Sequence, residues 1–430
     1  MSFARFKLQP EPLYYVLTGS TSLFNSIMFV VLTVFYFKVV GLNPLQLVLV
    51  GTVLETSCLL FEIPTGVIAD TYSRRLSVVL GMLVLGAGFI VTGLARSFPI
   101  VLLAQVICGL GYTFLSGATE AWLADEVGDE RVAGIYLRAG QVERIAGMVG
   151  IVINALLVSV LIFLPIVTGG VLYLLLGAFL AVCMPETGFT PHPHEEGETA
   201  GLQAMLTTLK EGAGVVRGRP ILWMLVVVNF FIGTASEGFD RLGDAHLSAN
   251  FTFPGLGTLQ PVVWFSILAL SGSLFSLLTT ELLRRRMEKV SRNHTATART
   301  LLILNLLSAA AVVGFALTGS FPIAAICLLL RGSINALLYP LYNAWMVQNT
   351  ASRARATILS MTSQVNALGQ IAGGPGVGWI GSAFSLRAAL VTAGLLLTPI
   401  SGLYARAIRS GTLISEAEET ENPQPVSEAF

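Results

Sequence analysis

Apolar runs of about 20 residues or more, each long enough to cross about 30 Å of hydrocarbon as a helix, recur along nearly the whole chain with short polar breaks between them. Inside a bilayer the backbone has no water to bond, so each run must satisfy its amides and carbonyls internally and is predicted to be helical. The pattern places spans over 13–38, 44–70, 76–96, 98–123, 132–158 and 160–184, then over 220–245, 258–284, 297–320, 321–348, 352–383 and 385–409. The expected fold class is all-α integral membrane, with twelve transmembrane helices in two six-helix bundles, residues 1–184 and 220–409. Residues 185–219, which include PETGFTPHPHEEGE, read as a cytoplasmic linker, and the acidic, Pro- and Ser-containing residues 410–430 read as a disordered tail.

Composition sharpens this picture. Of 430 residues 54% are hydrophobic and 12% charged, about half the charged share of a soluble domain, which all but excludes a water-soluble fold. With 25 Lys and Arg against 25 Asp and Glu, nothing points to nucleic acid or to an acidic substrate. The distribution of charge says more. Eighteen of the 25 basic residues fall on the side that carries both termini and the even-numbered loops, and basic loops stay inside, so both termini are expected in the cytoplasm of a multi-pass cell-membrane protein. The four cysteines lie in apolar runs without metal-site spacing, and the four histidines fall in predicted loops. No catalytic set, metal site or cofactor motif stands out, so the chain is not expected to be an enzyme.

Between the second and third spans the sequence reads GVIADTYSRR, Gly66 to Arg75. This resembles the signature loop of the major facilitator superfamily, G-x-x-x-D-R-x-G-R-[RK]: Gly66, Asp70, Arg74 and Arg75 match, while Thr71 and Ser73 depart from it. Read physically, Gly66 lets two helices approach closely, and Asp70 beside two arginines forms a charge cluster able to bridge neighbouring helices. The corresponding loop of the second half, Glu281 to Arg299, is basic without that pattern. FEIPTGVIADTYSRR, GLGYTFLSGATEAWLADE and RATILSMTSQVNALGQIAGGP are similar to stretches of drug-efflux members related to tetracycline and macrolide exporters. Gln105 stands near where the family often carries an Arg in span four, and span five keeps only AGMVG of the usual Gly-Pro motif. The resemblance implies two rigid bundles, related by a pseudo-twofold axis, rocking about a central site lined by spans one, four, seven and ten. It also implies that Glu120 or Asp125 reaches Arg74 or Arg75 as a gating contact.

A charge at mid-span costs roughly 2.5 to 3.5 kcal/mol on insertion scales, so each one should be paired or face water. Span two carries Glu55 and Glu62, and span five Arg138, Glu143 and Arg144. Either these neutralise one another within the first bundle or they take part in proton coupling. Glu237 and Asp240 lie on one face of span seven, at a depth comparable to Arg331 in span ten. They lie on the substrate path or form a pair near the outer boundary. Asn25, Phe29, Asn335, Tyr339 and Asn343 are candidates for a substrate cavity; the commoner uses of such residues are hydrogen bonds between helices and contacts with lipid. The glycine-rich GGPGVGW of span eleven points to close helix crossing or a kink. The leading expectation is a monomeric exporter of a lipophilic small molecule, with inward proton flow through carboxylates drawn from Glu55, Glu237 and Asp240. The alternatives are uptake of a small metabolite on the same fold and, from another class, a non-transporting membrane sensor or membrane enzyme.

Overall fold

The computed structural model of the protein describes residues 7–191, 220–350 and 355–410, and no strand occurs among them. The first half of the chain forms α1 (Pro10–Phe35), continued by a π-helical turn at Tyr36–Val40, then α2 (Pro44–Thr71), α3 (Arg74–Leu94), α4 (Phe98–Leu115), α5 (Ala118–Val127), α6 (Asp129–Val160) and α7 (Leu164–Cys183). The second half forms α8 (Pro220–Asn250), α9 (Val263–Ser291), α10 (His294–Leu317), α11 (Phe321–Gln348), α12 (Arg355–Ala383), α13 (Leu386–Leu395) and α14 (Thr398–Ser410). Counting α4 with α5 and α13 with α14, ten spans are long and apolar enough to cross a membrane. The long helices α8 and α12 bring the number to twelve. In α12 the polar Gln364, Asn366 and Gln370 and several glycines dilute the apolar character.

Local signals set the helix ends. Proline occupies the first turn of α1, α2, α4, α7 and α11, where its missing N–H costs nothing. Asn43 and Gln46 cap α2 reciprocally, and Ser73 and Asn293 cap α3 and α10. Within the spans, hydroxyls that face the bundle bond back to the preceding turn, as Thr56 does to Thr52 O (2.7 Å) and Ser57 to Val53 O (2.7 Å).

The described residues fall into two compact units. One holds residues 7–191 together with Asp240–Ser271 and Gly378–Leu386; the other holds 220–239, Gly272–Val377 and Arg387 onward. In the first unit α6 crosses α1 where a side chain has no room: a Cβ on Gly150 would stand 2.4 Å from Leu23 O. In the second unit α12 crosses α8 in the same way, with Cβ positions on Gly369 and Gly373 falling 2.3 Å from Phe230 O and 2.1 Å from Thr234 Cγ2. These are the first and fifth spans of each half, so the halves repeat one packing solution. The crossing expected for GGPGVGW is present at Gly373. Across the first unit, Asn154 of α6 donates to Ile27 O of α1 (2.5 Å) and accepts from Ser266 Oγ of α9 (2.8 Å).

Several expectations change. Span four is interrupted at Gly117, which adopts φ +71°, and the last span breaks between Leu395 and Thr398. The basic segment Glu281–Arg299 is almost wholly helical, because α9 continues to Ser291 and α10 begins at His294. Its Leu, Met, Glu, Arg and Lys favour helix, and Arg284 pairs with Glu281 (3.3 Å) and Glu288 (3.9 Å) along one face. His246 and His294 lie in helices, not loops, whereas His192 and His194 lie outside the described residues. So do most of the expected linker and the expected tail.

Candidate functional site

The signature loop forms the α2–α3 turn. Arg74 Nη1 lies 2.6 Å from Asp125 Oδ2 at the end of α5, and Arg74 Nη2 lies 3.9 Å from Asp70 Oδ1, whose side chain is 58% exposed. Of the two acidic candidates on α5, therefore, Asp125 takes the arginine and Glu120 does not; Glu120 stands exposed near the start of that helix. Gly66 has open space where a Cβ would sit, so it does not mark the close approach expected of it. That approach belongs to Gly109 of α4, whose Cβ position lies 2.6 Å from Ser57 Cβ.

A residue that sequence reasoning passed over completes the cluster. Glu186, in the PETGF that follows α7, accepts from Ser73 Oγ (2.7 Å) and from the Arg75 amide (2.9 Å), while the Arg75 side chain donates to Ala181 O. Trp122 Nε1 donates to Pro185 O (2.7 Å), and the Glu126 carboxylate takes the amides of Thr187 and Gly188 (2.9 Å for the latter). Lys7 donates to Met184 O, and burial followed by the Arg75 charge holds its ammonium below the usual lysine range. The loop's departure from the family pattern at Ser73 is thus functional in packing terms, since this hydroxyl both caps α3 and binds Glu186. The signal was available in sequence: an acidic residue directly after an apolar run, able to meet the basic turn.

Of the two readings of the first unit's intramembrane charges, mutual neutralisation has no ion pair to carry it among the described residues. Arg138, with Arg131, pairs with Glu11 at the start of α1 (3.4 and 3.0 Å), not with Glu55 or Glu62. Arg144 and Glu62 are exposed, and Glu55 and Glu143 half-buried. Asn25 accepts from Tyr173 Oη (2.8 Å), a bond between helices, and Phe29 packs edge-on against Phe89.

The second unit holds a partly open cavity of about 380 Å³ between α8, α10, α11, α12, α13 and α14. Three cavity candidates line it, Asn335, Tyr339 and Asn343, joined by Asn366, one of the polar residues of span eleven, and by Asn229 and Asn305, to which sequence reasoning assigned no role. Arg331 also borders it, its guanidinium carbon 3.6 Å from the centroid of the Phe239 ring. Glu237, on the same helix as Phe239, is 3% exposed. Among the described lining residues Arg331 has the one charged side chain; no Asp, Glu, Lys or His borders the cavity. Asn25 and Phe29 belong to the other unit and take no part in it.

An all-helical chain of twelve long spans with a paired signature loop narrows the family, and comparison decides it. Residues 14–374 match the Major Facilitator Superfamily. The chain belongs to that superfamily. It is 27% identical over 361 residues to a protein of Bacillus subtilis (strain 168), the uncharacterized MFS-type transporter YxaM, covering 83% of this chain and 86% of that one. Among solved structures it resembles the nucleoside transporter NupG (14% identity, TM-score 0.72, covering 94% of this chain and 99% of that one). It also resembles a bacterial homolog of the human lysosomal transporter Spinster in an inward-facing, unoccupied conformation (16% identity, TM-score 0.72, 95% and 97% covered). At these identities the likeness carries the superfamily fold alone. As a member of the superfamily the chain is a multi-pass membrane transporter.

Proposed function

We propose that this superfamily member is a monomeric secondary active transporter of the cell membrane that exports a lipophilic or amphipathic small molecule by alternating access, loading it in the second unit's cavity. The observation that carries the reading is that cavity: about 380 Å³ lies within the roughly 300–1,000 Å³ typical of small-molecule sites, and amide and aromatic side chains converge on it. The similarity of three sequence stretches to drug exporters favours outward transport. The basic bias of one side supports cytoplasmic termini, and on that orientation the Arg74–Asp125 pair and the bonds of Glu186 to Ser73 and Arg75 brace the inner end of the first unit as one body.

Cells lacking the gene, and inside-out vesicles prepared from cells that express it, test the direction. Export predicts drug sensitivity in the first and accumulation in the second; a growth defect on a nutrient, reversed by the gene, overturns export in favour of uptake. Proton coupling is a second part of the proposal, favoured by the nearly complete burial of the Glu237 carboxylate in a membrane helix. Transport that persists when the pH gradient is collapsed removes that part.

A further inference from the structure

Five asparagines border the second unit's cavity, yet most are already committed. Asn229 donates to Tyr342 Oη (2.6 Å), Asn305 to Leu397 O (2.8 Å) and Ser401 Oγ (2.9 Å), and Asn366 to Asn229 O (3.2 Å). These bonds fix the wall. Asn343 makes no hydrogen bond among the described residues, so its carboxamide presents both a donor and an acceptor to the cavity. Tyr404 of α14 also borders the cavity; it is 1% exposed, its ring lies edge-on to Trp345 at 5.8 Å, and its hydroxyl has no partner among the described residues. A buried hydroxyl without a partner costs about 1–3 kcal/mol, a cost that a ligand bringing an acceptor into the cavity would offset.

Charge points the same way. Among the described residues a cation in this cavity would meet no carboxylate, and an anion would meet a single guanidinium that stacks on the Phe239 ring and already takes part in a further interaction. Carboxamides and hydroxyls are instead matched to uncharged groups that donate and accept. We infer that the cavity selects an uncharged, hydrogen-bonding small molecule, and that Tyr404 is a specificity-determining donor to it. This rests on the reading of the cavity as the transport site.

The test uses the purified full-length chain and equilibrium binding of five probes: uridine, N-acetylglucosamine and chloramphenicol as neutral hydrogen-bonding solutes, tetraphenylphosphonium as a cation and benzoate as an anion. At least one neutral probe is expected to bind, with neither ion competing. Tyr404→Phe is expected to weaken that probe about tenfold while leaving the thermal midpoint of the unliganded protein unchanged or higher, because it deletes an unpartnered group and keeps the ring. A hydroxyl with a purely structural role would give the opposite pair of results. Tighter binding of either ion, failure of all three neutral probes, or indifference of the neutral probe to Tyr404→Phe overturns the inference. Asn343→Leu separates the two levels: ionic binding that it abolishes leaves the cavity as the site and removes only its selectivity, whereas binding of any probe that it does not touch removes the cavity as the site.

Discussion

Arg74 is held by Asp125, on another helix, at 2.6 Å, and only distantly by Asp70, its neighbour in the signature loop, at 3.9 Å. The Arg74 side chain is 13% exposed and Asp125 25%, so this pair escapes much of the screening that weakens surface pairs. A double-mutant cycle on Arg74→Ala and Asp125→Ala, read by unfolding in detergent, should give a coupling of about 1–3 kcal/mol. The cycle with Asp70→Ala should give less than about 1 kcal/mol. The reverse order would mean that the motif aspartate, not the α5 aspartate, is the structural partner.

Glycine positions in α6 divide into two kinds with opposite signs. Gly150 faces the α1 backbone, where a methyl group would stand 2.4 Å from Leu23 O, so Gly150→Ala forces the crossing apart and should cost about 1–3 kcal/mol. Gly140 has open space at the same place, and Gly140→Ala should stabilise by about 0.4–1 kcal/mol through the unfolded chain. Thermal midpoints of the two variants, measured side by side, check the contrast; equal effects would contradict the tight α1–α6 contact.

The number and kind of helices were readable because lipid imposes one solution on each apolar run, and hydropathy alone reports it. The second-to-third-span turn was readable because its charges are local in sequence. Pairings between distant segments were not: Arg138 finds Glu11 and Arg75 finds Glu186 only through the bundle's packing. Gly66 illustrates the limit from the other side, since a glycine in a motif looks like a crossing point until the neighbouring helix is seen to approach at Gly109 instead. In the cavity, Asn335, Tyr339 and Asn343 were visible as polar groups in span ten, but Tyr404 reads as one more aromatic in an apolar run, and its unpartnered hydroxyl exists only in three dimensions.

Glu186 and Glu126 fasten the chain that leaves α7 to two different partners, and amide exchange can report them separately. Glu186→Ala should raise exchange at the Arg75 amide, and Glu126→Ala at the amides of Thr187 and Gly188, each with little effect on the other. Thermal stability should fall by about 1–3 kcal/mol in Glu186→Ala, which loses both a hydroxyl and an amide donor to a charged acceptor. Protection that is lost at all three amides in either variant would show a single cooperative segment in place of two independent fastenings.

Glu237 and Glu62 offer the sharpest contrast for coupling, because both are carboxylates on membrane helices but one is 3% exposed and the other lies at the surface of its unit. Only the buried carboxylate is packed among neighbouring helices, so it is the one at which a proton's arrival can be tied to a conformational step. Glu237→Gln fixes the protonated form's shape and neutrality. In proteoliposomes it should abolish accumulation driven by a pH gradient while leaving gradient-free exchange of cargo within about twofold of the parent. Glu62→Gln should leave both intact. Loss of exchange together with accumulation in Glu237→Gln would assign the residue to packing or cargo binding, and undiminished accumulation would remove it from the proton path.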